Sequence, residues 1–227
     1  NQMALYDVGF ASMFVMEAEA LATLAPIAGQ GPEVVDKLKV RAAYQRKLIA
    51  EHLWDDKSGI FVNKWWGNNS FYHRITPTSF YGLLARAAND DQAERMVKEW
   101  LLSPEHFCIS VNGDFEGNHD DCYWGLPSIQ RGDKAFPPLG YWRGYVWGPM
   151  AMLTYWSLQE YDHLPIVRQA RKSMCKQLTA LMLSQWRRHR HICENFNPHR
   201  NATDSSGTKF YHWGALTGLI QLVEEGF

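Results

Sequence analysis

The chain has 227 residues, 14% aromatic content with ten tryptophans, and a formal net charge of −1. That length can bury a substantial core in one large domain or two small ones. The near-neutral balance argues against a nucleic-acid or anionic-membrane partner, which would call for a basic face. No run of about 18 apolar residues occurs, so no transmembrane helix is expected, and the start carries no signal-peptide pattern. The sequence opens at Asn1 already inside a helical pattern and reads as a piece of something longer. The four cysteines, at 108, 122, 175 and 193, lack metal-ligand spacing. Cys108 and Cys122 can close a loop or stay free thiols, and no cofactor or metal is expected. Two sequons, Asn68-Asn69-Ser70 and Asn201-Ala202-Thr203, matter only in a secreted protein, so the compartment stays open.

Taken in chain order, residues 3–28 predict a helix from Leu5, Val8, Phe14, Val15, Ala18, Leu21, Leu24 and Ala25, stopped at Gly29. Pro32 marks a second start, and the stripe Val35, Leu38, Ala42, Leu48, Ile49 and Leu53 predicts a helix over 33–54. The stretch Asp55 to Trp66 turns at Gly59 into a short extended run, read as a small hairpin. Thr76-Pro77 opens a helix over about 78–88, and Asp90 opens one over about 91–102. Residues 103–141 are rich in Pro, Gly and Asp and hold an acidic cluster of Asp114, Glu116, Asp120 and Asp121. A loop of that length in a compact domain is usually functional. Helical patterns return over about 146–161, 165–186 and 212–224. The basic run Arg187 to His191 reads as a solvated helix end, where cations suit the dipole.

Seven helices without strand–helix alternation give an all-α class and argue against a parallel sheet. No repeat of 30–45 residues supports a solenoid, and the long connections argue against a simple bundle. A toroid of paired helices, with its long loops at one rim, fits best. In it the loops around 114–147 and 194–213 face each other across one pocket. The first of these carries Tyr141-Trp142-Arg143-Gly144-Tyr145-Val146-Trp147, aromatic faces beside a guanidinium, the surface a sugar ring needs. The plainer reading is an aromatic core turn whose Arg143 pairs with a buried carboxylate. The second loop carries Glu194, followed by the polar residues Asn195 and Asn197, which can orient a carboxylate or a sugar hydroxyl. Its plainer reading is a surface glutamate. Glycosidic hydrolysis asks for two carboxylates, an acid and a base or nucleophile.

The run Tyr141 to Trp147 resembles the Tyr-Trp-Arg-Gly-x-[Val/Ile]-Trp signature of (α/α)6-barrel glucosidases and trehalases. Trp124-Gly125-Leu126-Pro127-Ser128, Glu194-Asn195-Phe196-Asn197-Pro198, Gly207 and Phe210-Tyr211-His212-Trp213-Gly214-Ala215-Leu216 resemble glycoside hydrolase family 63 in particular. The opening, Ala4 to Gly9 and Glu17 to Leu21, is also similar to that family's barrel, so the likeness covers nearly the whole chain. The resemblance implies a single domain over residues 1–227, the C-terminal portion of a partial (α/α)6 toroid whose N-terminal part precedes it or comes from a second chain. It implies an inverting mechanism on an α-glucoside or α-mannoside, with Glu194 as the general base. Trp142, Trp147, Trp124, Tyr211 and Trp213 would contact the sugar, with Arg143 on hydroxyls or a charged aglycone and His212 as a weaker contact. Lys134, Arg131 and Lys209 are further cations for an anionic aglycone. The family's acid, an Asp in an Asp-Asn-Ser-Pro-like segment, has no match here. Asp7 stands nearest but falls within the helix expected after that segment. A non-catalytic carbohydrate-binding toroid and a helical interaction scaffold are the alternatives.

Overall fold

The computed structural model describes residues 4–109, 125–199 and 207–227. Among them are seven α-helices: α1 (Val8–Leu24), α2 (Pro32–His52), α3 (Tyr81–Leu84), α4 (Asp90–Met96), α5 (Gly148–Gln159), α6 (Pro165–His189) and α7 (His212–Glu224). A 3-10 turn over Pro77–Phe80 leads into α3, and a π turn over Val97–Leu101 extends α4. The expected helix starting at residue 3 is corrected at its beginning. Leu5–Tyr6 forms strand β1, paired antiparallel with β4 (Asn63–Trp65), which pairs in turn with β5 (Phe71–Tyr72). The apolar residues at 5 and 8 fit a helical period, but their partner strand lies about sixty residues away, out of reach of local pattern. The expected hairpin exists as two short ladders, the second joining β2 (Trp54–Asp55) to β3 (Ile60–Phe61).

Local chemistry explains where the helices begin. Asp7 caps α1 by accepting from the Phe10 N–H at 2.8 Å, and Pro32 occupies the first turn of α2, where its missing N–H costs nothing. Asn89, one residue before the expected opener Asp90, forms a capping box with Gln92. Helix α6 runs three residues past the expected end. Arg187, Arg188 and His189 fill its last turn, and Arg190 closes it in the left-handed conformation at φ 57°. The amide of Asn63 ties the sheet to α1: its carbonyl accepts from the Val8 N–H and its NH2 donates to Asp7, both at 2.9 Å.

Helices alternate between two layers. Helix α1 packs on α3, α3 on α5 and α5 on α7, while α2 backs α1 and α6 backs α5 and α7. One continuous apolar core runs between the layers, from Val8 and Ile49 through Phe61, Phe80 and Tyr155 to Leu178 and Ile220. Phe61 of β3 lies against Gly82, where any side chain would collide with the ring, and this seats the hairpin on α3. Glu19 of α1 bridges Arg46 of α2 and Arg86 after α3, and Arg86 reaches Glu160 at the end of α5 at 3.1 Å. Arg171 of α6 pairs with Glu224 of α7 and with Asp162 at 2.9 Å. Helices α3, α5 and α7 each follow a long connection. The connections out of α1, α3 and α5 to their even-numbered partners are short turns. No described helix is long and apolar enough to cross a membrane.

Candidate active site

Three extended loop segments meet where α5 and α7 begin, at one rim of the helical layers. Val146 pairs antiparallel with Phe196 (Val146 N–H to Phe196 O 2.8 Å, Phe196 N–H to Val146 O 3.0 Å) and also lies beside Pro127. This is why α5 starts at Gly148 and not at 146 as its apolar run predicts: Val146 and Trp147 are committed to extended backbone. Cys193 pairs with Lys209 in the next bridge, which brings the stretch before α7 back over Glu194. The two loops expected to face each other therefore do so in their described parts.

Glycines permit the approach. Gly148, the first residue of α5, abuts the backbone carbonyl of Trp213, and Gly214 abuts that of Cys193. A β-carbon at Gly207, which stands at φ +87°, would lie 2.7 Å from Cβ of Glu194 and overlap its Oε2.

Glu194 is 7% exposed. Its Oε1 accepts from the Tyr141 hydroxyl at 2.5 Å and its Oε2 from the Thr208 N–H at 3.3 Å. Its own N–H donates to Thr208 O at 3.0 Å. Both oxygens thus serve as acceptors, the arrangement of an ionised carboxylate. The hydrogen bond to Glu194 is the main cause that pushes the Tyr141 phenol up to about 12, with desolvation and the Glu194 charge adding to it. Tyr141 therefore keeps its proton throughout the neutral range.

Around this pair stands an aromatic wall. Trp142 stacks on Trp147 with ring centroids 3.6 Å apart and planes 14° from parallel. Trp213 packs on both, at 6.2 Å and 5.8 Å, and Tyr211 meets Trp213 edge-on at 5.5 Å. Trp147 is fully buried, its indole N–H donating to the Tyr141 carbonyl at 3.0 Å, whereas Trp142 is 44% exposed. Trp147, expected to line the wall, lies instead behind it: Trp142 covers its face.

Tyr211 and Trp213 are half-buried, and His212 is exposed and stacked on Tyr211 at 4.9 Å. Arg143 is exposed, its guanidinium folded over Gly140, and has no ion pair among the described residues, unlike the core-turn reading in which a buried carboxylate holds it. Lys134 and Lys209 are exposed, and Arg131 donates to the Pro104 carbonyl at 2.8 Å. Trp124 and the acidic residues 114–121 lie outside the described residues, as do Cys122 and the sequon at 201–203. Cys108 is disulfide-bonded, and Cys175 and Cys193 are buried free thiols. Among the described residues no group of three His, Cys, Asp or Glu side chains could hold a metal ion.

Asp7 sits at the cap of α1 and not within it. Its carboxylate is spent on the Phe10 N–H and the Asn63 amide. The residue that local reasoning passed over is Tyr141: it stood inside a recognised motif, but its partner lies 53 positions away.

Comparison with known proteins agrees with this architecture. A curated mannosylglycerate hydrolase MGH1 of Selaginella moellendorffii is 26% identical over 138 residues, 59% of this chain and 24% of that protein. The glycoside hydrolase family 63 mannosylglycerate hydrolase of Thermus thermophilus, solved with glucose, superposes with a TM-score of 0.68 at 20% identity, over 96% of this chain and 48% of that one. Neutral trehalase Nth1 of Saccharomyces cerevisiae superposes with a TM-score of 0.65 at 15% identity, over 97% of this chain and 37% of that one. The chain thus spans about half the length of the Thermus enzyme and a quarter of the Selaginella one. The two helical layers are part of an (α/α)6 toroid, the fold of these neighbours. The model of the mannosylglycerate hydrolase MGH1-like glycoside hydrolase domain matches residues 1–214, and the chain belongs to that family.

Proposed function

We propose that this chain carries the general-base side of an inverting glycoside hydrolase acting on an α-glucoside or α-mannoside, with Glu194 as the base. The observation that carries the reading is Glu194 itself, an acceptor-only carboxylate at the rim, enclosed by Thr208, Gly207 and Tyr141 and flanked by stacked tryptophans. A base in that state takes a proton from water while the opposite face of the sugar loses its leaving group. Trp142 and Trp213 offer apolar faces to the ring, with Trp147 beneath as support, and Tyr211 and His212 close one side. Arg143, exposed and without an ion pair among the described residues, would take hydroxyls or a carboxylate of the aglycone. The similar Thermus enzyme has been solved with glucose and with Tris and D-glycerate, which supports a hexoside with a small acidic aglycone as the first substrate to try.

On this reading the general acid is the family's aspartate, which falls in the half of the toroid that this chain does not span. Asp7 is a poor candidate, because a carboxylate engaged as a helix cap and an amide acceptor has no proton to give. The acid would come from the half of the toroid that this chain does not span, and Phe10, Phe14, Leu21 and Leu24 leave an exposed apolar edge on α1.

The test is hydrolysis by the complete enzyme, with the acid-bearing remainder of the toroid present, of a panel of α-glucosides and α-mannosides, including glucosylglycerate and mannosylglycerate, with the product anomer followed by NMR in wild type and Glu194→Gln. The inverted anomer, lost in Glu194→Gln, supports the reading. Retention of configuration, or undiminished turnover in the variant, defeats it. Sugar binding without turnover and indifferent to Glu194→Gln would favour a carbohydrate-binding module.

A further inference from the structure

The two oxygens of Glu194 are not equivalent. Oε2 accepts from the Thr208 N–H and lies against Gly207, so backbone closes that side. Oε1 faces Tyr141, a residue 46% exposed, so it is the oxygen that an entering water can reach. Tyr141 is itself held in place: the buried Trp147 indole donates to its carbonyl, and its ring meets Trp147 edge-on at 4.7 Å. We infer that Tyr141 is a positioning residue that makes Oε1 the proton-accepting oxygen of Glu194 and orients the attacking water against it. The inference rests on the reading of Glu194 as the base.

A phenol that donates to Oε1 keeps two acceptor sites on its own oxygen, and Oε1 keeps a second lone pair. A water spanning the two donates one hydrogen to Oε1 and the other to the phenol oxygen, which aims its own lone pair away from both. As that lone pair bonds to the anomeric carbon, the glycosidic C–O bond breaks. The proton of the water goes to Oε1, and the departing oxygen takes its proton from a carboxylic acid elsewhere in the enzyme. The phenol transfers nothing and keeps its proton, as expected of a group that titrates at about 12.

Two measurements on the complete enzyme, this chain together with the acid-bearing remainder of the toroid, test this. With tyrosine labelled at its phenolic carbon and the signal assigned through Tyr141→Phe, NMR titration of wild type should place Tyr141 near 12, and Glu194→Gln should move it toward the ordinary value of about 10. In hydrolysis, Tyr141→Phe should lower kcat by roughly 10- to 100-fold, part of the 10²–10⁴ that a positioned base contributes. KM should stay within about threefold, since uniform substrate binding is untouched. The same substitution in the Glu194→Gln background should add little further loss, because residues acting as a unit are not additive.

A Tyr141 signal that titrates ordinarily and ignores Glu194→Gln overturns the inference. So does a Tyr141→Phe effect confined to KM, or one that multiplies with Glu194→Gln. A wild type that hydrolyses while Tyr141→Phe keeps its kcat defeats this role alone. A wild-type enzyme that carries the acid-bearing half of the toroid and still releases no sugar from any substrate defeats the hydrolase reading and this role with it.

Discussion

Replacing Gly148 with alanine sets two effects against each other at the junction that joins the site's two loops. At an ordinary helical position alanine is better than glycine by roughly 0.5–1 kcal/mol, because glycine gives up more backbone freedom on folding. At Gly148 the added methyl would overlap the Trp213 carbonyl oxygen, lie 3.0 Å from its carbon and 3.1 Å from Cβ of Leu216. A main-chain carbonyl cannot swing aside as a side chain can, so α5 and α7 must separate where they enter the rim. Overpacking of this kind costs about 1–3 kcal/mol. A clash with main chain falls in the upper part of that range, about 2–3 kcal/mol, so after an offset of up to about 1 kcal/mol from helix propensity the steric term wins and the net loss is about 1–2 kcal/mol. For a chain of this size that lowers the melting temperature by roughly 2–8 °C.

Scanning calorimetry of Gly148→Ala beside Gly67→Ala measures the difference. A β-carbon at Gly67 meets nothing within 4 Å, so that variant should melt at or slightly above wild type. Because the displaced segment carries Trp213, the Gly148→Ala emission spectrum should also change. A variant as stable as wild type, with unaltered fluorescence, would refute the close-packing argument.

Two further perturbations probe the scaffold. Arg171→Ala removes the cation from a nearly buried cluster in which Glu224 also accepts from the Tyr155 hydroxyl at 2.9 Å, and should cost on the order of 3 kcal/mol in urea unfolding. Combining Arg171→Met with Glu224→Leu should recover most of that loss, since no charge is then left unpaired. At Asp55, burial alone would raise the carboxyl, but hydrogen bonds from Ser58, His73 and the Lys57 N–H outweigh it and hold the group below its ordinary value. A carboxyl held low in the folded state adds stability above its unfolded pKa of about 3.9, and loses it as pH falls through the folded value. Unfolding midpoints measured from about pH 6 down to pH 3 should therefore drop less steeply in His73→Ala than in wild type. An unchanged acid-side slope would show that the His73 contact at 2.8 Å does not hold the charge.

Much of the helical layout was legible because each helix advertises itself locally. Helix α7 occupies the expected 212–224, and α2 begins at the proline that marks it. Where expectation and structure part, the cause is a distant partner. Leu5 and Tyr6 leave the helical pattern to pair with Trp65 and Lys64. Val146 and Trp147 leave it because Phe196 takes the Val146 backbone into a bridge. The candidate site divides in the same way. Glu194 stands out by the loop and motif that hold it. That Trp147 lies beneath Trp142, and that Tyr141 touches Glu194, are facts of packing across 5 and 53 residues of chain, which spacing alone does not encode.

The unequal connections have a consequence for how such a molecule can change. Segments entering α5 and α7 at the rim are long and carry the aromatics and Glu194, whereas the turns leaving α1, α3 and α5 are brief and carry none of them. Variation can accumulate in the first set, altering what is recognised, while the helices keep their partners. The second set is where an experimenter can intervene without touching recognition. The turn at 26–30 is solvent-exposed around Gly29, which has open space beside it. A tag, a dye or a new pair of termini placed there would leave α1 packed on α2, and would report on the barrel from its silent end.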